Sequence, residues 1–181
     1  LMSDAGTPLI SDPGYKLARA VIERGFQVIA APGASAVLTG LVMSGLPSDT
    51  VLFAGFLPSK EVARRERLVE LCAMPATLIV FEAPTRLAKS LRGMVEITGA
   101  REVVVARELT KKFEEVRRGT AATLADWADN TEVRGEIVID GRRVLAPYVF
   151  EVPPREFSPH RMAGQHDPLG VCGSPVAGAF L

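Results

Sequence analysis

The sequence predicts an α/β protein, and three observations lead to this class. Short apolar runs alternate along the chain with segments whose apolar residues recur at helical spacing. Residues 77–81 and 103–106 are rich in β-branched and aromatic side chains, which is typical of buried strands. The strand–loop–helix order of the first part indicates a parallel sheet with ligand loops at the carboxyl ends of its strands. A hairpin return strand later in the chain predicts a mixed sheet there.

Length and composition indicate a soluble globular protein. At 181 residues, 48% hydrophobic and 23% charged, the chain has room for one domain or two small ones. We place a boundary at the polar break after Leu46. Residues 1–47 are then the remnant of an amino-terminal α/β domain, and residues 48–141 a carboxyl-terminal α/β domain. Since no apolar run could cross a bilayer and no secretory signal is visible, we expect a cytoplasmic protein without membrane contact.

Two isolated cysteines and two histidines narrow the chemistry. Cys72 and Cys172 lie far apart and form no metal-ligand pattern, which is typical of a reducing compartment. Periodicity makes Cys72 a core residue of a helix. Both histidines lie in the unpatterned end of the chain, so histidine-based catalysis has little support.

The elements are predicted in order from periodicity and from capping residues. The first predicted helix spans 15–24 and ends at Gly25, and the second is capped by Ser35 and ends near Gly45. The third spans 60–73 and is capped by Ser59, and the fourth is capped by Thr85 and runs to Gly99. A short fifth helix is capped by Thr123. The strands are 26–30, 51–56, 77–81, 103–106, the return strand 113–119, and 135–139.

The loop from Ser3 to Gly14 holds two clusters of small residues around an apolar pair. Gly6 lets a ligand approach the main chain, and Pro13 suits the first position of a helix capped by Ser11 or Asp12. A strand end, a tight loop and a helix start commonly hold small polar ligands on main-chain amides. An ordinary structural turn is the alternative.

Six sequence blocks carry a resemblance to a known family. They are SDAGTPLISDPG at 3–14, PGASA at 32–36, GFLPSK at 55–60, FEAPTR at 81–86, ARELTK at 106–111 and GEIV at 135–138. In this order and spacing, covering residues 1 to about 139, they resemble the bacterial 16S ribosomal RNA cytidine 2′-O-methyltransferases. That family is a branch of the tetrapyrrole methylase superfamily, so the resemblance implies a tetrapyrrole methylase-like fold.

The resemblance implies methyl transfer from S-adenosylmethionine to the 2′-hydroxyl of a cytidine in 16S ribosomal RNA. It also implies that the cofactor lies in a cleft between two α/β domains. Carried over by position, the residues that contact the methionine and ribose end of the cofactor are Asp4, Ala5, Gly6 and Thr7. A second wall of the cofactor site is formed by Ser35 and Ala36. The residues that enclose the adenine are Phe81, Glu82, Ala106, Arg107, Glu136 and Ile137. Each apolar member is equally compatible with a plain core position.

Methyl transfer depends mainly on how the hydroxyl is positioned relative to the methyl group, because a sulfonium is already an activated methyl donor and needs no metal. A ribose hydroxyl reacts faster beside a base or a field that favours the alkoxide. Our candidates are Glu108, which would accept the proton, and Lys111 or Arg107, which would hold a phosphate or stabilise negative charge. A salt-bridged pair at a strand end is the alternative for Glu108 and Lys111.

A local surplus of positive charge suggests contacts with an RNA backbone. Between Gly55 and Arg118 thirteen Lys and Arg face nine Asp and Glu, although the whole chain is neutral. We expect phosphate contacts from Arg64, Arg65, Arg86, Lys111 and Lys112. The expected partner is 16S ribosomal RNA or the small ribosomal subunit. Solvated helix faces produce the same charge pattern.

Both ends of the chain depart from the family pattern. The chain opens on Leu1 directly before the signature loop, so we expect an amino-terminally truncated chain with an exposed apolar edge around Val28 that favours a homodimer. After residue 141 the apolar periodicity disappears, and we predict that residues 142–181 are a disordered or non-native tail. Asp140-Gly141 is expected to interrupt the last strand early.

Two other functions remain open from the sequence. One is a different tetrapyrrole methylase acting on a corrin precursor or on a protein. The other is a non-catalytic fragment that binds RNA or a partner subunit. The ARELTK and GFLPSK blocks favour RNA over corrin precursors.

Overall fold

The computed structural model describes residues 1–3 and 6–142. The helices are α1 (Tyr15–Glu23), α2 (Ala36–Ser44), α3 (Glu61–Cys72), α4 (Leu87–Thr98) and α5 (Ala121–Asp129), with a 3-10 turn at Pro84–Arg86. The strands are β1 (Val51–Phe56), β2 (Thr77–Glu82), β3 (Glu102–Arg107), β4 (Glu115–Thr120) and β5 (Ile137–Gly141). These residues all fall within one compact unit, Leu1–Ala146, and the predicted boundary at residue 47 stays a prediction.

The five strands form one sheet in the order β1-β2-β5-β3-β4. β1 and β2 are parallel, whereas β5 runs antiparallel between β2 and β3, and β3 and β4 form the hairpin. The predicted α/β class and mixed sheet are therefore confirmed. Ile137 at the start of β5 pairs with both Glu82 and Arg107, the last residues of β2 and β3. This register brings three strand ends to one edge of the sheet.

Alternation along β5 divides the core into two layers. Ile137 and Ile139 pack among α3, α4 and α5, in a cluster that contains Leu68 and Leu91. Val138 points to the other face, where Leu41 of α2 covers the sheet. Cys72 is buried in the first cluster, as expected of a core cysteine, and burial raises the pKa of its thiol.

The described residues before α2 contribute little to this core. α1 has no buried residue, and Phe26 and Ile29 are exposed. The predicted buried strand over 26–30 is wrong, since none of the described residues pairs with this segment and a strand needs a hydrogen-bonded neighbour. The expected exposure of apolar side chains around Val28 is confirmed, with Val28 itself half exposed.

Helix boundaries were predicted better than the residues that cap them. Ser35 does cap α2, where its Oγ accepts from Leu38 N at 3.4 Å, and Gly45 ends the helix with φ 74°. The cap of α5 is Thr120, and Thr123, the predicted cap, sits three residues later and completes a reciprocal capping box.

The other predicted amino-terminal caps are wrong. α1 begins at Tyr15 after Gly14, so neither Pro13 nor a Ser11 or Asp12 cap starts it. Neither Ser59 nor Thr85 caps a helix, because Lys60 precedes α3 and the 3-10 turn precedes α4. In both places the chain enters the helix one residue or more later than the local signal suggests.

Asp140 and Gly141 continue β5 instead of interrupting it, so this prediction is wrong. Asp140 pairs with Ile79 on one side and Val104 on the other. Its carboxyl is fully buried, has no hydrogen-bond partner among the described residues, and burial raises its pKa to about 7. Arg142 follows the strand and donates its N–H to Glu102 O at 3.0 Å. The rest of the predicted tail lies outside the described residues.

Within residues 1–3 and 6–142, every helix is too short or too polar to cross a bilayer.

Candidate functional site

A cleft of about 580 Å³ lies at the edge of the sheet where β2, β3 and β5 meet. Its walls come from the opening loop, the start of α2, the ends of β1 and β2, and the turns before β4 and β5. The described lining residues are Ser3, Gly6, Thr7, Ile10, Ser11, Asp12, Ala34, Ser35, Ala36, Val37, Thr39, Phe56, Phe81, Glu82, Ala83, Pro84, Leu109, Thr110, Lys111, Gly135, Glu136, Ile137 and Val138.

The opening loop is folded onto the segment before α2. Thr7 Oγ1 donates to Ala34 O at 3.1 Å, and Ser3 Oγ donates to the Asp12 carboxylate. Leu9 and Ser11 adopt positive φ angles of 73° and 58°, which non-glycine residues rarely do. Such angles persist where the surroundings impose them, and here they turn the loop so that it walls the cleft.

The start of α2 forms the neighbouring wall. Ser35 and Ala36 line the cleft at the helix amino terminus, where main-chain N–H groups and the helix dipole favour an anionic or polar group. Thr39 lines the cleft one turn later and donates its Oγ1 to Ser35 O at 2.8 Å. This wall therefore offers small polar side chains and peptide groups.

The ends of β1 and β2 supply an aromatic wall. The Phe81 ring packs edge-on against Phe53 and Phe56, with centroids 4.9 and 5.5 Å away. Glu82 is buried, and its carboxylate accepts from Ser90 Oγ at 2.6 Å and Arg86 Nε at 2.8 Å. Because these donors hold the carboxylate, Glu82 secures the end of β2 beneath the cleft.

The turn after β3 is tied to the start of β5 by a network of charged groups. Glu108 Oε1 accepts from Glu136 N at 2.9 Å and from Lys111 Nζ at 3.2 Å, while Lys111 Nζ also lies 2.9 Å from Glu136 Oε2. The Glu136 N–H and then Lys111 hold the pKa of Glu108 below its ordinary value. The carboxylates of Glu136 and Glu108 raise the pKa of Lys111. Of the two roles open for Glu108, these contacts favour the salt bridge, because a carboxylate kept ionised is a weak base.

Among the described residues, no three His, Cys, Asp or Glu side chains come together as a metal site. The lining suits an organic ligand instead, since its volume and mixed apolar and polar walls are typical of small-molecule sites.

Residues 1–125 match the family described as tetrapyrrole (corrin/porphyrin) methylases. The chain belongs to this family. Ribosomal RNA small subunit methyltransferase I of Mesorhizobium japonicum is 56% identical over 141 residues, which is 77% of this chain and 48% of that protein. The Vibrio cholerae protein of the same name is 47% identical over 142 residues, 77% of this chain and 49% of that one. The chain thus spans about half the length of these curated relatives.

Solved structures of other tetrapyrrole methylases share the fold. A cobalamin biosynthetic enzyme, cobalt precorrin-4 methyltransferase, superposes with a TM-score of 0.56 at 20% identity, over 76% of this chain and 61% of that one. Uroporphyrin-III C-methyl transferase from Thermus thermophilus, complexed with S-adenyl homocysteine, gives 0.52 at 17% identity, over 75% and 62%. The methylase fold predicted from the six blocks is therefore confirmed.

Most of the predicted cofactor residues of this methylase chain line the cleft. They are Gly6, Thr7, Ser35, Ala36, Phe81, Glu82, Glu136 and Ile137. Asp4 and Ala5 lie outside the described residues. Two residues lie elsewhere. Ala106 is fully buried in the core beneath α2, and Arg107 Nε pairs with Glu115 Oε2 at 2.5 Å on β4.

Several lining residues were missed, although the sequence contains signals for some of them. Ser11 and Asp12 belong to the same signature block as Gly6, so the whole block could have been assigned to the site. Thr39 lies one helical turn after Ser35 and so shares its face. Phe56 and Leu109 lie in the GFLPSK and ARELTK blocks, so the blocks indicate these segments, but only the fold shows that these two side chains reach the cleft.

The predicted RNA-binding residues differ in exposure. Arg65 and Lys112 are exposed, and Lys111 lies at the cleft. Arg86 forms an ion pair with Glu82, with 2.7 Å between Arg86 Nη2 and Glu82 Oε1, and part of its side chain remains exposed. Arg64 is buried and donates to Ser59 O at 3.1 Å, so its expected phosphate contact does not fit its position, and it instead braces the start of α3.

Proposed function

We propose that this chain is part of an S-adenosylmethionine-dependent methyltransferase whose substrate is RNA of the small ribosomal subunit. The observation that carries the proposal is the 46–56% identity to proteins named ribosomal RNA small subunit methyltransferase I. The more specific part of the proposal is that the methyl group is transferred to the 2′-hydroxyl of a cytidine in 16S ribosomal RNA. This part rests on the resemblance carried by the six sequence blocks. Because the chain spans about half of those relatives, the activity of the whole protein is part of the proposal.

The cleft fits the proposed cofactor in size and lining. About 580 Å³ lies within the usual range for small-molecule sites, and Phe81 offers an apolar face for an aromatic base. The start of α2 offers peptide groups and the Ser35 side chain to the polar end. A fold neighbour, the Thermus thermophilus enzyme, is complexed with S-adenyl homocysteine, the demethylated form of this cofactor. Asp4, Ala5, Gly6 and Thr7 complete the proposed site.

When bound, the cofactor supplies an activated methyl group on a sulfonium. The contribution of the chain is to hold the ribose hydroxyl in line with the methyl–sulfur bond and to exclude water. Lys111 is the described cation on the cleft wall best suited to stabilise a developing alkoxide or to hold a flanking phosphate. Its ammonium is already oriented by Glu108 and Glu136, so little reorganisation is needed when the substrate enters.

Cofactor binding is the first test of this proposal. Isothermal titration calorimetry of the full chain with S-adenosylmethionine should give saturable heat, which Phe81→Ala should abolish. Phe113→Ala is the matched control, because this exposed phenylalanine lies outside the cleft lining. Circular dichroism of both variants separates lost binding from lost fold. No heat from the unaltered, folded chain would contradict the proposal.

The substrate is tested by transfer of radiolabelled methyl groups. We expect label in 16S ribosomal RNA or in the small subunit, and none in a porphyrinogen or corrin precursor. Label in the macrocycle would favour the second enzyme class, which the low-identity neighbours support only through their fold. RNA retained on a filter without cofactor binding would favour a non-catalytic RNA-binding chain.

The RNA surface in this proposal comprises Arg65, Arg86, Lys111 and Lys112. Replacing both Arg65 and Lys112 by Ala should weaken RNA retention and reduce the slope of log K against log salt by about one for each lost phosphate contact. Arg19→Ala is the control, since Arg19 is exposed and paired with Glu23. An equal loss from the control would show only unspecific charge attraction.

The assembly and location of the protein are further parts of the proposal. The exposed apolar side chains of Phe26, Val28 and Ile29 support a homodimer, which light scattering with size-exclusion chromatography can measure. We also propose a cytoplasmic location without membrane contact, because the proposed substrate belongs to the ribosome.

A further inference from the structure

We propose that Glu108 is a positioning residue that joins two walls of the cleft, and that it is not the base of the methyl transfer. Its effect on cofactor affinity rests on the proposed function, whereas the joint itself rests on geometry alone. We call the joint the Glu108 clasp, consisting of Glu108, Lys111, Gly135 and Glu136.

The clasp connects two turns that are distant in sequence. Main-chain contacts pair the turns first, with Glu108 N donating to Glu136 O at 2.9 Å. The Glu108 side chain also contacts the second turn, because its Oε1 accepts a hydrogen bond from Glu136 N at 2.9 Å. Lys111 Nζ closes the network by reaching both carboxylates. The two turns are therefore joined by one main-chain hydrogen bond, one hydrogen bond to the Glu108 side chain, and the ion pair of Lys111 with Glu136.

The backbone is shaped to make this clasp. Glu108 and Thr110 have φ angles of 49° and 65°, values that side chains normally avoid. On the opposite turn Gly135 has φ 93°, and a Cβ placed there would overlap the Glu108 carboxylate. A glycine is thus required both for the angle and for the close approach. Unfavourable angles on one turn and a missing side chain on the other serve the same contact.

Both turns line the cleft, which explains why the clasp matters for function. Leu109, Thr110 and Lys111 follow Glu108 directly, and Glu136 and Ile137 follow Gly135. Glu108 itself is not a lining residue, and its Oε1 is already occupied by two donors. Loss of its carboxylate should let the two walls move apart, which changes ligand affinity more than the chemical step.

The test compares removal of the carboxylate with its conservative replacement. In Glu108→Gln an amide oxygen can still accept the Glu136 N–H, so we expect S-adenosylmethionine affinity within about threefold of the unaltered chain. Glu108→Ala loses the acceptor and should weaken it by about tenfold. Glu132→Ala, which removes an exposed carboxylate paired with Arg134, should leave affinity unchanged. Equal affinity of Glu108→Ala and the unaltered chain would overturn the proposal.

Turnover separates positioning from base catalysis. If Glu108 is a positioning residue, Glu108→Gln should keep kcat within about threefold and retain the pH profile, whereas the loss in Glu108→Ala should appear in KM for the cofactor. Loss of a general base would lower kcat by about a hundredfold or more and remove the acidic limb of the profile. That second result would overturn the proposal.

A double-mutant cycle tests the clasp without reference to the cofactor. Gly135→Ala should destabilise the chain through both the clash and its φ angle, whereas in the Glu108→Ala background only the angle remains. We therefore expect a smaller loss of stability from Gly135→Ala in that background, measured by urea unfolding. Additive effects would overturn the clasp. If the unaltered chain binds no cofactor but the cycle shows coupling, the proposed function fails and the joint between the two turns stands.

Discussion

The sheet region, residues 51–141, and the amino-terminal region, the described residues before α2, use similar side chains in different ways. Helix α4 of the sheet region buries Leu87, Leu91 and Met94, whereas α1 has an equally amphipathic pattern and no buried residue. Phe26 and Ile29 would suit a buried strand but are exposed. Amphipathic periodicity therefore predicts that a helix forms, and burial depends on whether another element packs against its apolar face.

The largest expected effect concerns Asp140, where α2 covers the sheet. Burial raises the pKa of the Asp140 carboxyl from 3.8 to about 7. The folded chain is therefore most stable at low pH, where this carboxyl is neutral in both the folded and the unfolded chain, and it loses stability as pH rises towards 7. Relative to Asp140→Asn, the free energy of unfolding should fall by about 4 kcal/mol between pH 4 and pH 8. Urea unfolding across this pH range measures it, with exposed Asp129→Asn as control. Parallel pH curves for Asp140→Asn and the unaltered chain would contradict the buried neutral carboxyl.

The next effect tests the two regions directly with matched truncations. Leu91→Ala removes a fully buried side chain of α4 and should lower the free energy of unfolding by about 3 kcal/mol. Ile29→Ala removes an exposed side chain and should change it by less than about 0.5 kcal/mol. Urea unfolding of both variants checks the comparison. Similar losses would mean that a partner covers Ile29 in solution.

A third prediction addresses the link between α2 and the sheet region. Arg118 on β4 donates to Ser44 O at 3.2 Å and to Met43 O, which satisfies carbonyls at the end of α2. Arg118→Met should cost about 1.5 kcal/mol and speed hydrogen exchange of α2 amides. The exposed Arg134, paired with Glu132, gives the control variant Arg134→Met. Unchanged exchange in α2 would show that its apolar face alone holds it.

The smallest expected effect compares the cap of α2, which precedes β1 in the chain, with the cap of α5, which follows it. Thr120 accepts from Thr123 N at 3.2 Å within a reciprocal capping box, whereas Ser35 accepts from Leu38 N at 3.4 Å alone. Thr120→Ala should cost about 1 kcal/mol and Ser35→Ala about half of that. Thermal unfolding can rank the two variants. A larger loss at Ser35 would indicate a role beyond the first turn of α2.

Much of the sheet region could be predicted because its elements have strong local patterns. The apolar run of β2 was identified from neighbouring residues alone, and so, outside the sheet region, were the Ser35 and Gly45 limits of α2. The continuation of β5 through Asp140 was missed, since Asp and Gly locally favour a turn. Pairing with β2 on one side and β3 on the other overrides that preference.

The family blocks predicted which segments form the candidate site, but only in part which of their residues line the cleft. Phe81 and Glu136 come from the blocks and do line the cleft. Ala106 and Arg107 come from the same kind of block but do not line the cleft, because Ala106 is fully buried in the core under α2 and Arg107 pairs with Glu115 on β4. A block shows which strand approaches a ligand, and the sheet decides which of its side chains reaches it.

By itself the sequence determined most element types and the family of this protein, since both depend on residues close together in the chain. Only the tertiary structure decided which apolar faces are buried, that Asp140 lies inside the sheet, and that Glu108 reaches Glu136 across the clasp. Those outcomes depend on contacts between residues distant in sequence, where the strand register sets which side chains meet.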